Sequence, residues 1–255
     1  MAAIRVIPIL LLHKGGLVKS VRFKDYRYVG DPINAVKIFN EKEVDEITVI
    51  DIDATRNNRP PDIRRIAEIA GEAFMPMAYG GGITTIQQIK DILFNGIEKV
   101  IINKAAHTQP ELITEAAAFF GSQSIVVSID VKKNLFGKYR VFTDNGRNNS
   151  GTDPVVFAKA MEAAGAGELL LNAIEHDGTY KGYDFKLIEA VADAVEIPVI
   201  AAGGASGLED FRAAISSGAS AVAAGSMFVF QRPHQAVLIS YPEYGALKEI
   251  LSKYR

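Results

Sequence analysis

A shift of 122 residues lays the second half of this chain over the first, and no other feature of the sequence restricts its fold so tightly. Asp31-Pro32 returns as Asp153-Pro154, Glu46 as Glu168, Pro76 as Pro198, Gly81-Gly82 as Gly203-Gly204 and Gly96 as Gly218. Self-similarity at a fixed offset marks an architecture built from repeated units. Branched-aliphatic runs recur at residues 6–12, 46–52, 75–79, 99–102, 124–129, 168–171, 197–201 and 221–224. They are nearly continuous rather than alternating, as strands covered on both faces must be. Between most of them, residues 32–40, 62–73, 85–95, 110–120 and 154–164 carry helical periodicity. Strands alternating with helices demand a parallel sheet, either open and doubly wound or closed into a barrel. Four units in each half favour closure as four plus four. The expected fold is therefore an α/β protein, a (β/α)8 TIM barrel of two duplicated half-barrels, forming a single domain over residues 1–255.

A length of 255 residues suits one closed barrel. With no cysteine and four histidines (His13, His107, His176 and His234), disulfides, thiolate metal sites and cysteine nucleophiles are excluded, and neither a metal nor a cofactor is expected. The absence of cysteine fits a reducing, cytoplasmic setting. A net charge of −2 with scattered basic residues leaves no footprint for nucleic acid. The apolar run at 6–12 is too short for a signal core or a membrane span. No metalloprotease, nucleophile-elbow or P-loop pattern occurs.

Active sites of such barrels lie at the C-terminal ends of the strands. Two of these ends are glycine clusters, Gly80-Gly81-Gly82 and Gly203-Gly204-Ala205-Ser206, and a third, Ala224-Gly225-Ser226, follows the eighth strand. Glycine lets backbone N–H groups approach an anion, and a following helix adds a favourable dipole. The expected phosphate sites are Gly203, Gly204, Gly225 and Ser226 on one side. Their repeat counterparts Gly81, Gly82, Asn103 and Lys104 lie on the other, and together they suit a phosphorylated or otherwise anionic ligand. The bland alternative is that the glycines only make tight turns. Lys14-Gly15-Gly16 reads as a loop. Among the acids, Asp130 and Asp177 stand at strand ends on the mouth side and are the candidate proton-transfer groups. Asp51 and Asp53 end another strand, and His176, beside Asp177, is placed to face the site. His107 and His234 read as exposed loop residues.

The sequence resembles HisF, the cyclase subunit of imidazole glycerol phosphate synthase, over essentially its whole length. The resemblance is carried by Arg5-Val6-Ile7-Pro8, Gly30-Asp31-Pro32, Gly80-Gly81-Gly82-Ile83, Ile102-Asn103-Lys104-Ala105-Ala106 and Phe120-Gly121-Ser122-Gln123. It continues through Asp177-Gly178-Thr179, Gly182-Tyr183-Asp184 and Ile197-Pro198-Val199 with Gly203-Gly204-Ala205. It implies a barrel that takes ammonia from a glutaminase docked at its N-terminal face and uses it at the opposite face to cyclise and cleave a ribulosyl nucleotide with two phosphates. It also implies an ammonia gate of four charges, here Arg5, Glu46, Lys99 and Glu168, and two catalytic aspartates. One of these matches Asp130. The other falls on Leu11, and leucine cannot transfer a proton. Ile101 stands in place of a serine, and Arg56-Asn57-Asn58-Arg59 and Tyr79 also depart from the family pattern, so the mouth reads as rewritten. The pattern is similar to HisF-like paralogues that serve bacterial surface-sugar (lipopolysaccharide) pathways and pass ammonia to a separate sugar amidotransferase. Two alternatives stand beside it: an active cyclase of histidine biosynthesis, and a non-catalytic scaffold that activates the glutaminase.

Overall fold

Repeat partners adopt the same local structure. The computed structural model describes residues 4–251, so the first three and last four residues of the expected domain lie outside it. Eight parallel strands form its centre: β1 (Arg5–His13), β2 (Ile47–Asp51), β3 (Met77–Gly80), β4 (Lys99–Ile102), β5 (Ile125–Lys133), β6 (Glu168–Ala173), β7 (Val199–Ala202) and β8 (Ala221–Ala224). The sheet closes on itself, with β1 between β8 and β2 and the last seam joining β5 to β6, where Glu168 pairs with Val126. Around it run α1 (Pro32–Glu41), α2 (Ile63–Ala70), α3 (Ile86–Phe94), α4 (Glu111–Phe120), α5 (Pro154–Ala163), α6 (Phe185–Ala192), α7 (Leu208–Ser216) and α8 (Tyr244–Leu251). This is the TIM barrel expected from the repeat.

The 122-residue offset is visible bond by bond. Asp31 caps α1 by accepting from Asn34 N, and Asp153 caps α5 by accepting from Val155 N and Val156 N. Proline takes the first position of both helices, where its missing N–H is no loss. Ile47 N donates to Pro76 O at 2.9 Å, and its counterpart Leu169 N donates to Pro198 O at 2.9 Å. These prolines supply carbonyls that start strand pairing.

Strand residues divide between two apolar layers. Ile7, Ala78, Ile101, Val126, Leu170, Ile200 and Ala221 fill the barrel interior. Val6, Leu10, Val49, Val100 and Leu169 point outward against helical residues such as Phe39, Ile89 and Phe211. Burying a side chain of that size contributes about 1.5–3 kcal/mol. Tyr79 belongs to this outer layer and is 2% exposed. It therefore does not bulk out the mouth, contrary to the reading of the sequence.

Two excursions rise from the C-terminal end of the barrel. After β1 the chain makes a hairpin, Gly16–Val21 against Lys24–Gly30, and β5 runs on to pair with Tyr139–Thr143. Lys14-Gly15-Gly16 is the turn into the first hairpin, with His13 paired to Gly16.

Candidate functional site

The N-terminal end of the barrel is closed by a ring of four charges. Arg5 Nη1 lies 2.5 Å from Glu46 Oε2, and Arg5 also pairs with Glu168. Lys99 Nζ sits 3.0 Å from Glu46 and 3.1 Å from Glu168. Each cation thus meets both anions. Both glutamates are buried, a position tolerable only because the pairing is complete. Burial pushes Arg5 down, but its two glutamate partners outweigh that and hold its pKa above the ordinary value. Three of the four residues start a strand and Glu46 directly precedes one, so the strand register alone brings them together.

The opposite end opens into a cavity of about 450 Å³. Leu11, Asp130, Asp177, Gly81, Gly82, Asn103, Lys104, Gly203, Gly204, Gly225 and Ser226 all line it. Asp130 has burial as its main perturbation, which pushes its carboxyl up to about 7. Hydrogen bonds from Asn172 and Asn103 resist that rise, and the charge of Asp177 adds to it. Asn103 Nδ2 donates to Asp130 Oδ2 at 3.2 Å and to Ser128 O at 3.0 Å. Its amide nitrogen is therefore shared between the carboxylate and the Ser128 carbonyl. Asn172 Oδ1 is buried and, among the described residues, has no hydrogen-bond partner.

The side chain that the sequence reading missed is Lys19. It is 5% exposed, lines the cavity and donates to Ile9 O. Burial lowers its pKa, against the pull of the Asp177 charge. Burial likewise raises Asp177, against Lys19 and a hydrogen bond from Ser20. The pair joins two elements far apart in the chain, so the local sequence carries no signal of it beyond one lysine after two apolar residues. Arg59 was singled out only as a departure. Its Nη2 lies 2.6 Å from Asp51 Oδ2, at the side of the same cavity.

The glycines have a local reason of their own. Gly81 has φ +123, and a Cβ on it would run into Asp51 O; its repeat partner Gly203 has φ +88, and a Cβ would come within 2.8 Å of Ala173 O. Both positions exclude L side chains because the preceding strand's end passes so close. Asn103 and Gly225 adopt nearly the same backbone conformation, φ/ψ −114/−81 and −111/−77, each opening a short helix, Lys104–Thr108 and Ser226–Val229. Lys104 is already paired with Asp144, 2.9 Å away.

Other candidates lie elsewhere. His176 turns from the cavity, its Nδ1 2.8 Å from Gly182 O, and so does not face the site as expected. His107 lies in the first short helix with its ring 5.5 Å from Phe157, rather than in an exposed loop. His234 is exposed. Ile101 is buried in the barrel lumen at the floor of the cavity. Asp53 and Arg56 stand outside the cavity, at its rim.

Comparison with known proteins matches residues 5–233 to the family described as histidine biosynthesis protein. A protein of Pseudomonas aeruginosa provisionally named imidazole glycerol phosphate synthase subunit hisF2 is 52% identical over 248 residues, 95% of this chain and 97% of the relative. A Vibrio vulnificus protein, provisionally named subunit hisF3 of the same synthase, is 47% identical over 97% of this chain and 96% of its own length. One from Leptospira interrogans, provisionally named subunit HisF, is 45% identical over 93% and 94%.

Proposed function

Since the chain belongs to the histidine biosynthesis protein family, on its HisF-like branch, we propose that it is the barrel subunit of a glutamine amidotransferase system. It takes ammonia from a HisH-like glutaminase at the N-terminal face and releases it at the cavity, in the cytoplasm. The product is an amidated surface sugar, made with a separate sugar amidotransferase, rather than the imidazole of histidine synthesis. The observation that carries this reading is the contrast between a complete charge ring at one end and Leu11 in the cavity at the other.

Support comes from both faces. Phe74, Phe94 and Phe119 precede β3, β4 and β5 at the end that holds the ring, and they are 89%, 78% and 73% exposed. Exposed aromatics of this kind suit a protein interface. Leu135 and Phe136, at the tip of the β5 hairpin on the other face, are also fully open to solvent. They give a second protein an apolar contact beside the mouth. Inside the cavity Asp51 is paired with Arg59 and Asp144 with Lys104, which leaves Asp130 and Asp177 as the carboxylates for proton transfer. The glycine frame at Gly81-Gly82 and Gly203-Gly204, with Ser226, keeps room for phosphate.

A general acid or base contributes roughly 10²–10⁴-fold in rate. The purified barrel, given the two-phosphate ribulosyl nucleotide and free ammonium, is therefore expected to turn over slowly, and Leu11→Asp to raise that rate at least tenfold. Robust turnover by the unaltered chain would overturn the reading in favour of a working cyclase. One observation favours that second reading: the Asp130 carboxyl sits near neutrality, where a proton-transfer group is most effective.

A further inference from the structure

Beside the mouth, and outside the cavity, lies a smaller pocket lined by His13, Lys14, Tyr26, Asp53, Arg56 and Asn57. We propose that this pocket binds the phosphate group of a small metabolite, with an oriented His13 imidazole as its fixed contact and Lys14 and Arg56 as its cations. Nothing in the proposed ammonia path uses it, and it stands or falls independently of that reading.

His13 is held on two sides. Its Nδ1 lies 2.8 Å from Asp53 Oδ1, and its ring stacks on Tyr26 with centroids 5.1 Å apart and planes 23° apart. Asp53 is itself fixed, because Lys14 N donates to its Oδ2 at 2.7 Å. Burial would push the Asp53 carboxyl up, but these two hydrogen bonds and the nearby positive charges hold it below the ordinary value. An ionised Asp53 accepts from Nδ1, which sets the imidazole tautomer and leaves Nε2 as the only ring nitrogen for a ligand. Nε2 can accept from a P–OH group or, once protonated, donate to a phosphate oxygen.

The charges around that ring are unspent. Among the described residues, neither the Lys14 ammonium nor the Arg56 guanidinium forms an ion pair, and Arg147 joins Arg56 in acting on the Tyr26 hydroxyl. The single carboxylate of the pocket is committed to His13 and to a backbone N–H. What remains is two free cations, an oriented imidazole and the Asn57 amide, a set that matches a dianion better than a neutral group. Arg56 and Asn57 belong to the stretch that departs from the family pattern, and their place here gives that departure a use. A turn holds them, with Asn57 N donating to Asp53 O at 2.9 Å.

The test is a titration of the full-length protein with inorganic phosphate at constant ionic strength, followed through the imidazole nitrogens by long-range ¹H–¹⁵N correlation. With four histidines in the chain, His13→Gln assigns the signal. A saturable shift of the His13 resonances, with Nδ1 carrying the proton, is expected. Arg56→Ala and Lys14→Ala, both at exposed positions, should each weaken phosphate at least about tenfold without lowering the melting temperature. Ser226→Asp, which places a carboxylate in the main cavity, should leave the His13 response intact. A drift that never saturates, an affinity unchanged in Arg56→Ala, or an equal response to acetate would overturn the proposal.

Discussion

The two ends of the barrel treat buried charge in opposite ways. At the N-terminal end two cations and two anions form a closed ring in which every charge meets two of opposite sign. At the C-terminal end the cavity holds Asp51 paired with Arg59 and Asp144 paired with Lys104, which leaves Lys19 to serve both Asp130 and Asp177, and burial drives each of these three toward its neutral form. Both sets come from strand ends or the loops that follow them, so the backbone alone does not explain the difference. What differs is compensation. A ring with all its partners can act as a plug. An odd set of partners stores unfavourable energy that ligand binding or proton transfer can release, which is why such sets gather at functional sites.

Breaking the ring should produce the largest effect. Lys99→Met removes one cation and leaves two buried glutamates sharing Arg5, at a cost of about 3–5 kcal/mol in unfolding free energy. Urea denaturation at neutral pH measures it. Replacing all four charges with apolar residues of similar volume should recover most of that loss, because no charge is then left unpaired. With a HisH-like glutaminase present, the same Lys99→Met change should also alter product made from glutamine but not product made from free ammonium. A stability loss below about 1 kcal/mol would mean that the ring is solvated like a surface pair, and the contrast between the ends would collapse.

At the mouth the sign reverses. The folded Asp130 holds its proton up to about pH 7, whereas an ordinary aspartate gives it up near 3.8. Between those values the folded state binds more protons than the unfolded one, so stability falls as pH rises through that window. The penalty is complete above about pH 7 and absent below about pH 4. Asp130→Asn removes it, and should stabilise the protein by on the order of 2 kcal/mol at pH 8 with the gain closing toward pH 4. Thermal melts across that range decide the matter. A destabilised Asp130→Asn at pH 8 would show that Asn103 and Asn172 compensate the carboxylate as fully as the ring compensates its own charges.

The strand-register features were the legible ones. Arg5, Glu46, Lys99 and Glu168 were grouped through the resemblance to HisF, and each stands at or just before the start of a strand, where a closed eight-stranded sheet brings such positions together. The glycine pairs were legible through the repeat, although their closest physical cause is the passing backbone of Asp51 and Ala173. Lys19 was not legible, because its partner Asp177 comes from the far half of the barrel and its own repeat position, in the matching hairpin after β5, holds Val141. Tyr79 was misplaced for a related reason. In a strand covered on both faces the run is apolar throughout, so its pattern does not say which side chain faces the lumen and which the helices. His176 was misplaced because a residue just beyond a strand end takes its direction from the loop, here from Gly182 O.

The smallest expected effect probes the missing acid directly. Leu11→Asp trades a partly buried apolar side chain for a further carboxylate in the cavity that already holds Lys19. Losing the leucine contacts and desolvating a new acid destabilise the fold, while attraction to the Lys19 ammonium offsets part of that, so the net change should stay within about 1–2 kcal/mol. The more informative readout is the lysine. A second anion favours its charged form, so the depressed Lys19 pKa should rise toward the ordinary value, as followed by ¹³C shifts of labelled lysine side chains. That rise would show that position 11 is electrically coupled to the Lys19–Asp177 pair. An unmoved Lys19 would mean that position 11 is electrically remote from the pair, and that Leu11 disables the cavity through its own missing proton rather than through its neighbours.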